Sequence, residues 1–300
     1  MSSVTSAILG EPAIAQATTS IHVAPEGNTI EVGATNTAAV SAFLQAHFGS
    51  NAHIAVEFQE PDTSAASRYA GNGPVVAGSA LVGENENVCT AGYGSRAAAG
   101  QARGQTQYKY FVLTAGHCFP LNMAVGHETG KFEGGIAIGT VRRNAYIGLI
   151  LPTDGEGIFL MNENLRSHSV LNGDPLEAQP IQGVQVPHNR ETVCWSGIYG
   201  GNQCGKISWH GESLISGRVE ATFMVKGLSI KGDSGGPVWD PETHKAVGLM
   251  TAVSSEDGGK CWKTSYNSVA CTRMKFTPLL ASGGSHGIIP ELGVEVLGQD

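Results

Sequence analysis

The chain has 300 residues, 18 basic and 26 acidic side chains for a net charge of -8, and 41 glycines. Hydrophobic residues at 41% suffice for a packed core and exclude a disordered chain. The acidic balance disfavours nucleic acid as the main partner, since counterion release needs clustered Lys and Arg, and no run reaches the ~18 apolar residues of a membrane span.

Met1 to Ala17 lacks the basic start and sustained apolar segment of a secretory leader. Its small-residue run Ala13-Ile14-Ala15-Gln16-Ala17 reads as the remnant of a cleavage region. In the 20–60 stretch, Ile30-Glu31-Val32 alternates as a short strand. Asn36 or Thr37 then caps a helix whose apolar positions Val40, Phe43, Leu44 and Phe48 follow the 3.6-residue period. Gly49 stands where a helix end needs positive φ, and His53–Phe58 alternates as another strand. The result is a small α+β unit, followed by a turn-rich linker over 61–74.

From Val75 onward the chain reads as strands at Val75–Val82, Tyr110–Thr114, Ile136–Val141, Gly157–Met161, Lys206–Trp209, Gly217–Val225 and Ala246–Ala252. Gly, Asn, Asp and Pro clusters separate them, a pattern that predicts an all-β barrel or sandwich. The glycine excess follows from turns that need φ > 0. Without interleaved helices a parallel βαβ sheet is not expected. The cysteines are even in number and contain no CxxC pair, which argues against a zinc site and for disulfides in an oxidising compartment.

Two segments carry chemistry. Thr114-Ala115-Gly116-His117-Cys118 follows an apolar run, which places a histidine where a strand gives way to a loop. In Gly232-Asp233-Ser234-Gly235-Gly236-Pro237, glycines flank a serine and permit a tight turn that exposes its hydroxyl. They also let the Gly232 and Ser234 N–H groups converge on one point as an oxyanion hole. Serine needs a neighbouring base to act as a nucleophile, and histidine titrates in the right range. Gly232-x-Ser234-x-Gly236 also satisfies the GxSxG elbow of α/β-hydrolases. That fold places its histidine after the serine, and the later candidates His244 and His286 stand in turn-like contexts.

TAGHC at 114–118 followed by GDSGGP at 232–237 resembles the chymotrypsin-like serine proteases. Val193-Cys194-Trp195-Ser196-Gly197 and Gly200-Gly201-Asn202-Gln203-Cys204 are similar to the short disulfide loop of the bacterial streptogrisin and α-lytic branch. Phe276-Thr277-Pro278 and Gly293-Val294-Glu295-Val296 resemble that branch's C-terminal helix and strand. The resemblance covers roughly 75–298, and the 20–60 unit more weakly resembles the pro-regions that assist folding of such enzymes.

The resemblance implies an all-β double barrel over 75–300, preceded by a pro-region-like segment over 1–60 and the 61–74 linker. It implies a secreted, monomeric serine endopeptidase acting on protein or peptide substrates, with no metal or cofactor, no nucleic acid and no membrane. His117 is the expected general base and then acid, Ser234 the nucleophile, and the Gly232 and Ser234 N–H groups the oxyanion donors. It also implies the disulfides Cys89–Cys118, Cys194–Cys204 and Cys261–Cys271. Leu228 and Ser229 are expected to floor the primary pocket, with Thr251, Ala252 and Val253 on its wall. Met250 stands where glutamate-specific relatives carry histidine. With no acid at the pocket floor, an apolar, medium-sized P1 residue is expected.

The chain departs from the family twice. The best match to the segment around the triad acid is Tyr146-Ile147-Gly148-Leu149-Ile150, with tyrosine in place of aspartate. Asp154, just before Gly157-Ile158-Phe159-Leu160, is the expected acid and Glu156 the next choice, while Asp174 reads as a turn residue. Second, bacterial relatives commonly carry an arginine where Trp195 stands, so Asp233 needs another partner. These departures motivate an alternative, a catalytically impaired protease homologue that acts by binding.

Overall fold

A computed structural model of the chain describes residues 4, 7–8, 10–24, 29–34, 36–49, 53–58, 68, 74–102, 105–127, 136–146, 153–172, 177–215, 218–256, 258–264, 268–281 and 286–298. The helix Pro12–Ala17 leads into β1 (Thr18–Ala24), antiparallel to β2 (Thr29–Ala34), and β2 lies parallel to β3 (Ile54–Phe58). A parallel pair needs a crossover, which the helix Thr37–Phe48 supplies. Asn36 is its cap, accepting from the Ala39 N–H, and Gly49 ends it at φ 75°. Val40 and Leu44, one turn apart, bury against Val4, Ile8, Val32 and Ala34. β1 has no counterpart in the sequence reading, because its polar start Thr18-Thr19-Ser20 hides any apolar alternation.

The remaining strands are β4 (Ala80–Gly83), β5 (Val88–Thr90), β6 (Gly94–Ala102), β7 (Gln105–Thr114), β8 (Ala124–His127), β9 (Ile136–Asn144) and β10 (Glu156–Leu160), then β11 (Ser169–Asn172) and β12 (Glu177–Pro180). They continue as β13 (Thr192–Gly197), β14 (Gly201–Ile215), β15 (Arg218–Ile230), β16 (Pro237–Trp239), β17 (Ala246–Val253), β18 (Cys261–Lys263), β19 (Val269–Pro278) and β20 (Glu295–Val296). One sheet runs β20-β6-β7-β10-β9-β8-β4-β5 and curls into a half-barrel. The other runs β15-β14-β13-β16-β17-β19-β18, and pairing of β15 with β19 closes six of its strands into a barrel. The architecture is the expected all-β double barrel.

Each barrel has its own core. Leu81, Val112, Ile138 and Ile158 fill the first, and Val193, Trp195, Val225 and Phe276 fill the second. A third cluster, with Tyr93, Leu113, Trp239, Leu249 and Ile288, joins residues of both. Phe276-Thr277-Pro278 ends β19 and is not part of the C-terminal helix, which is Ile288–Leu292. Proline is tolerated at that strand end, where no ladder donor is required. Arg143 of β9 donates to the Leu292 and Gly293 carbonyls and ties this helix to the first barrel.

Three disulfides join Cys89 to Cys118, Cys194 to Cys204, and Cys261 to Cys271. The last two link residues directly opposite in paired strands. The small α+β unit contacts the second barrel at β18. Trp262 packs on its core, and the Lys260 ammonium donates to the Gly10 carbonyl. Among the described residues no helix is long and apolar enough to cross a membrane.

Candidate active site

His117 lies in the turn after β7. The Cys89–Cys118 disulfide and a 2.9 Å hydrogen bond from Thr114 Oγ1 to the Thr90 carbonyl help to hold that turn. The His117 ring is 28% exposed, and its Nδ1 lies 2.9 Å from Asp154 Oδ2 and 3.0 Å from Oδ1. Asp154 is completely buried, two residues ahead of β10. Its Oδ1 also accepts the His117 backbone N–H at 3.0 Å, and its Oδ2 accepts the Thr251 hydroxyl. A buried carboxylate is tolerable when its lone pairs are filled in this way.

Burial pulls the His117 pKa down. The charge of Asp154 and its hydrogen bond outweigh this and raise the ring above the ordinary histidine value, while the nearby Lys231 charge works against them. The geometry suits a base that holds its Nδ1 proton toward Asp154 and presents Nε2 elsewhere.

Glu156 faces another partner. Its Oε2 accepts from Asn144 Nδ2 at 2.9 Å, and the same amide reaches the Gly116 carbonyl at 2.8 Å. Burial first, then the Asp154 charge, push Glu156 well above the usual carboxylate range. Tyr146 does not replace Asp154. Its backbone N–H donates to Asn144 Oδ1, and its ring lies edge-on to His117 with centroids 6.2 Å apart. The remainder of the 146–150 match and Asp174 lie outside the described residues.

The serine turn follows β15. Gly232 adopts φ 116° and Gly235 φ 85°, a region open to glycine. A Cβ on Gly235 would fall 1.9 Å from Thr114 Oγ1, so the two loops meet only because that side chain is absent. Thr90 stitches the barrels together here. Its N–H donates to the Ser234 carbonyl at 2.8 Å, and its hydroxyl donates to the Gly232 carbonyl at 3.0 Å while accepting from the Ile198 N–H. The N–H groups of Asp233, Gly235 and Gly236 bind the carbonyls of Ile230, Met250 and Asp233. Among the described residues the Gly232 and Ser234 N–H groups have no such acceptor, which leaves two donors for a developing oxyanion. No hydrogen bond joins Ser234 Oγ to the His117 ring among the described residues; such contacts are often long in unliganded sites and shorten on binding. The loops still adjoin, with Cys118 Sγ 3.9 Å from the Ser234 carbonyl oxygen.

The expected pocket residues divide. Leu228, Ala252 and Val253 are half-buried, and Ser229 is buried opposite Cys271. The ladder slips between Lys226 and Ser229 on β15 and between Met250 and Ala252 on β17. Bulges re-aim side chains, and the second one carries Thr251, whose hydroxyl turns to Asp154. Met250 packs in the core of the second barrel. His244 sits at φ 55° in the turn after β16, and His286 pairs with Glu291 at 2.6 Å. Neither is hydrogen-bonded to Ser234, and the sheets are not a parallel βαβ array, so the α/β-hydrolase reading fails. Sequence patterns gave no sign of Asn144, or of Thr251 as a partner of Asp154, since both act through bulges and cross-strand neighbours.

Fold and site together define the chain as a double-barrel protein of the chymotrypsin-like fold. Among solved structures it is similar to Thermobifida fusca Protease A (17% identity, covering 74% of this chain and 98% of that one, TM-score 0.54). The Nocardiopsis protease (16%, 74% and 98%, 0.53) and Cellulomonas bogoriensis chymotrypsin (17%, 75% and 99%, 0.52) are likewise similar. At these identities the likeness is one of fold. No family model matches the chain. Over 178 residues it is 32% identical to the uncharacterized protein Rv1815 of Mycobacterium tuberculosis strain H37Rv, covering 57% of this chain and 70% of that protein. The uncharacterized protein MT1863 of strain CDC 1551 matches with the same figures. The chain belongs to the family of these mycobacterial proteins.

Proposed function

We propose that the chain is a secreted serine endopeptidase in which Ser234 attacks the scissile carbonyl and His117 accepts its proton. Asp154 fixes the histidine tautomer and stabilises the imidazolium that forms. The Gly232 and Ser234 N–H groups receive the oxyanion of the tetrahedral intermediate, and His117 then protonates the leaving amine to yield an acyl-enzyme that water hydrolyses. The observation that carries this reading is the buried Asp154 carboxylate, 2.9 Å from His117 Nδ1 and filled by Thr251. The three disulfides support an oxidising, extracellular setting. An apolar, medium-sized P1 residue fits a site with Leu228, Ala252 and Val253 and no carboxylate among the expected pocket residues; cleavage after Arg or Glu in a peptide library would overturn that preference.

The rival reading, a protease homologue that only binds, draws on the two departures from the family pattern at Tyr146 and Trp195. Labelling by a fluorophosphonate probe decides between them. Native protein is expected to label and Ser234→Ala not to. Native protein that fails to label favours the binding reading.

A further inference from the structure

The buried carboxylates at the site differ in what holds them. Asp154 pairs with His117, and Asp233 is bound by backbone donors. The Tyr199 and Gly200 N–H groups reach its Oδ1 at 2.9 and 3.0 Å, and the Ile230 N–H reaches Oδ2 at 2.8 Å. Glu156 has a different setting. It is completely buried, and the ladder places it between Thr114 of β7 and Asn144 of β9, so the rim of the first barrel carries a polar row across three strands. The register slips by one residue between Gly157 and Ile158, and a bulge of this kind re-aims a strand end. Asn144, the last residue of β9, thereby stands opposite Glu156 and within reach of the His117 turn.

The Asn144 amide can sit only one way round. Its Oδ1 accepts the Tyr146 N–H at 2.9 Å. Its Nδ2 faces the Gly116 carbonyl at 2.8 Å, Glu156 Oε2 at 2.9 Å and the Phe119 carbonyl at 3.5 Å. Exchanging oxygen and nitrogen would set the NH2 group against the Tyr146 N–H and an oxygen against two carbonyls. Gly116 and Phe119 flank His117 in the chain, so one side chain grips the turn on both sides of the histidine. The same side chain holds Tyr146, whose ring lies edge-on to the imidazole. Gly116 permits the close approach: a Cβ there would fall 2.5 Å from Tyr146 Cβ and 3.0 Å from the nitrogen of Gly155, the residue after Asp154.

We propose that Asn144 is the positioning residue of the general base: its amide, braced by Glu156, clasps the Gly116 and Phe119 carbonyls and so keeps His117 Nδ1 against Asp154. This inference rests on the endopeptidase reading. The Asp154 bonds fix the ring only where the turn presents it, and a shift of about 1 Å in that turn is enough to cost about 10² in rate. The groups around the imidazole are Asp154 ahead of β10, Tyr146 after β9 and the Lys231 charge ahead of the serine turn. Asn144 carries no charge, so its loss reaches the ring pKa by moving the ring relative to these groups. Burial pulls that pKa down and Asp154 holds it above the ordinary value; a ring released from both drifts back toward about 6.5.

The test uses the full chain as Asn144→Ala, Asn144→Leu, Glu156→Leu and the Asn144→Ala/Glu156→Leu pair. The readouts are peptide kinetics across pH, probe labelling and the His117 titration followed by NMR. Asn144→Ala is expected to lower kcat about 100-fold with KM changed less than about threefold, and to bring the acid limb down toward about 6.5. Asn144→Leu fills the space without restoring a donor, so it should lose at least about 30-fold. Glu156→Leu removes the brace and should cost about tenfold, and the pair should cost no more than the larger single change. Activity of either Asn144 variant within about threefold of native, an acid limb that stays in place in Asn144→Ala, or additive effects of the two changes would each overturn the proposal. Should Asn144→Ala not fold, Asn144→Leu takes its place in the titration and in the cycle with Glu156→Leu. If native protein itself does not label, the endopeptidase reading fails; the clasp is then read from the NMR titration, where an unmoved His117 pKa in the Asn144 variant refutes it.

Discussion

Asp154→Asn isolates what the buried carboxylate does, because the two side chains have nearly the same shape. The Asp154 oxygens have fixed demands. Oδ1 receives the His117 backbone N–H, which can only donate, whereas Oδ2 receives the Thr251 hydroxyl, which can rotate and accept instead. The asparagine oxygen must therefore take the Oδ1 place. Its NH2 group then lands at the Oδ2 place, 2.9 Å from His117 Nδ1 in the native arrangement. There it competes with the asparagine oxygen, 3.0 Å from Nδ1, and where it donates to Nδ1 it drives the ring proton to Nε2, the nitrogen that must accept from Ser234. The same exchange in other triads costs about 10⁴ in turnover, or about 5.4 kcal/mol of transition-state stabilisation.

The pH profile supplies a second reading of the same change. The His117 pKa is set by burial pulling down against the Asp154 charge and hydrogen bond pushing up, with Lys231 opposing them. Removing Asp154 leaves only the two lowering influences. The acid limb of kcat/KM should stand above the ordinary histidine value of about 6.5 in the native enzyme and move to lower pH in the residual activity of Asp154→Asn. The assay is kcat/KM on a fluorogenic peptide across pH, with Glu156→Gln as control. Glu156 bonds Asn144 and not the ring, so that control should lose less than about tenfold. Asp154→Asn within about tenfold of native, a larger loss in Glu156→Gln, or an acid limb that fails to move down would refute the assignment of the triad acid.

Glu156→Gln also reports on stability. Burial and the Asp154 charge raise the folded pKa of Glu156 above its unfolded value, so the native state keeps a proton that the unfolded chain releases. Native stability therefore falls as pH rises from about 4.5 through the raised value; the variant should show a shallower fall in melting temperature, and an unchanged slope refutes the burial argument. The Cys89–Cys118 bridge closes a loop of sequence separation 29. Replacing both cysteines by serine should lower unfolding stability by about 3.5 kcal/mol in denaturant titrations, and a loss below about 1 kcal/mol would show that the hydrogen bonds of Thr114 and Thr90 hold the turn without it.

The legible parts of the molecule were those with a local signature. Alternation placed β7, β9, β10 and β17, and the periodic apolar stripe with Asn36 ahead of it placed the helix Thr37–Phe48. The two motif segments lie in turns that abut, because Gly235 admits Thr114. What stayed illegible depends on partners far away in the chain. Thr251 reaches Asp154 across 97 residues, and Arg68 reaches Ser196 across 128. No periodicity encodes either contact, and a ladder slip of one residue decides which way Thr251 points. Phe276-Thr277-Pro278 misled for a related reason: it follows a strand pattern to its end, and the C-terminal helix begins only at Ile288.

The ties across the barrel boundary explain why this site is held by so few residues. The first barrel brings His117 and Asp154, and the second brings Ser234 and Thr251. Contacts among the described residues fix one against the other: Thr251 on Asp154, the Thr90 N–H and hydroxyl on the serine turn, the Ile198 N–H on the Thr90 hydroxyl, and the Tyr93 hydroxyl on the Val238 carbonyl at 2.5 Å. Each barrel keeps its own apolar core. Loss of one tie therefore leaves most of the buried apolar area intact, while a shift of about 1 Å between base and nucleophile is enough to cost about 10² in rate. Thr90 concentrates this effect, since among the described residues it grips both the Gly232 and Ser234 carbonyls. Composition follows from that arrangement: glycines at 197 and 200 make room for the buried Asp233, and Gly235 lets the two barrels meet.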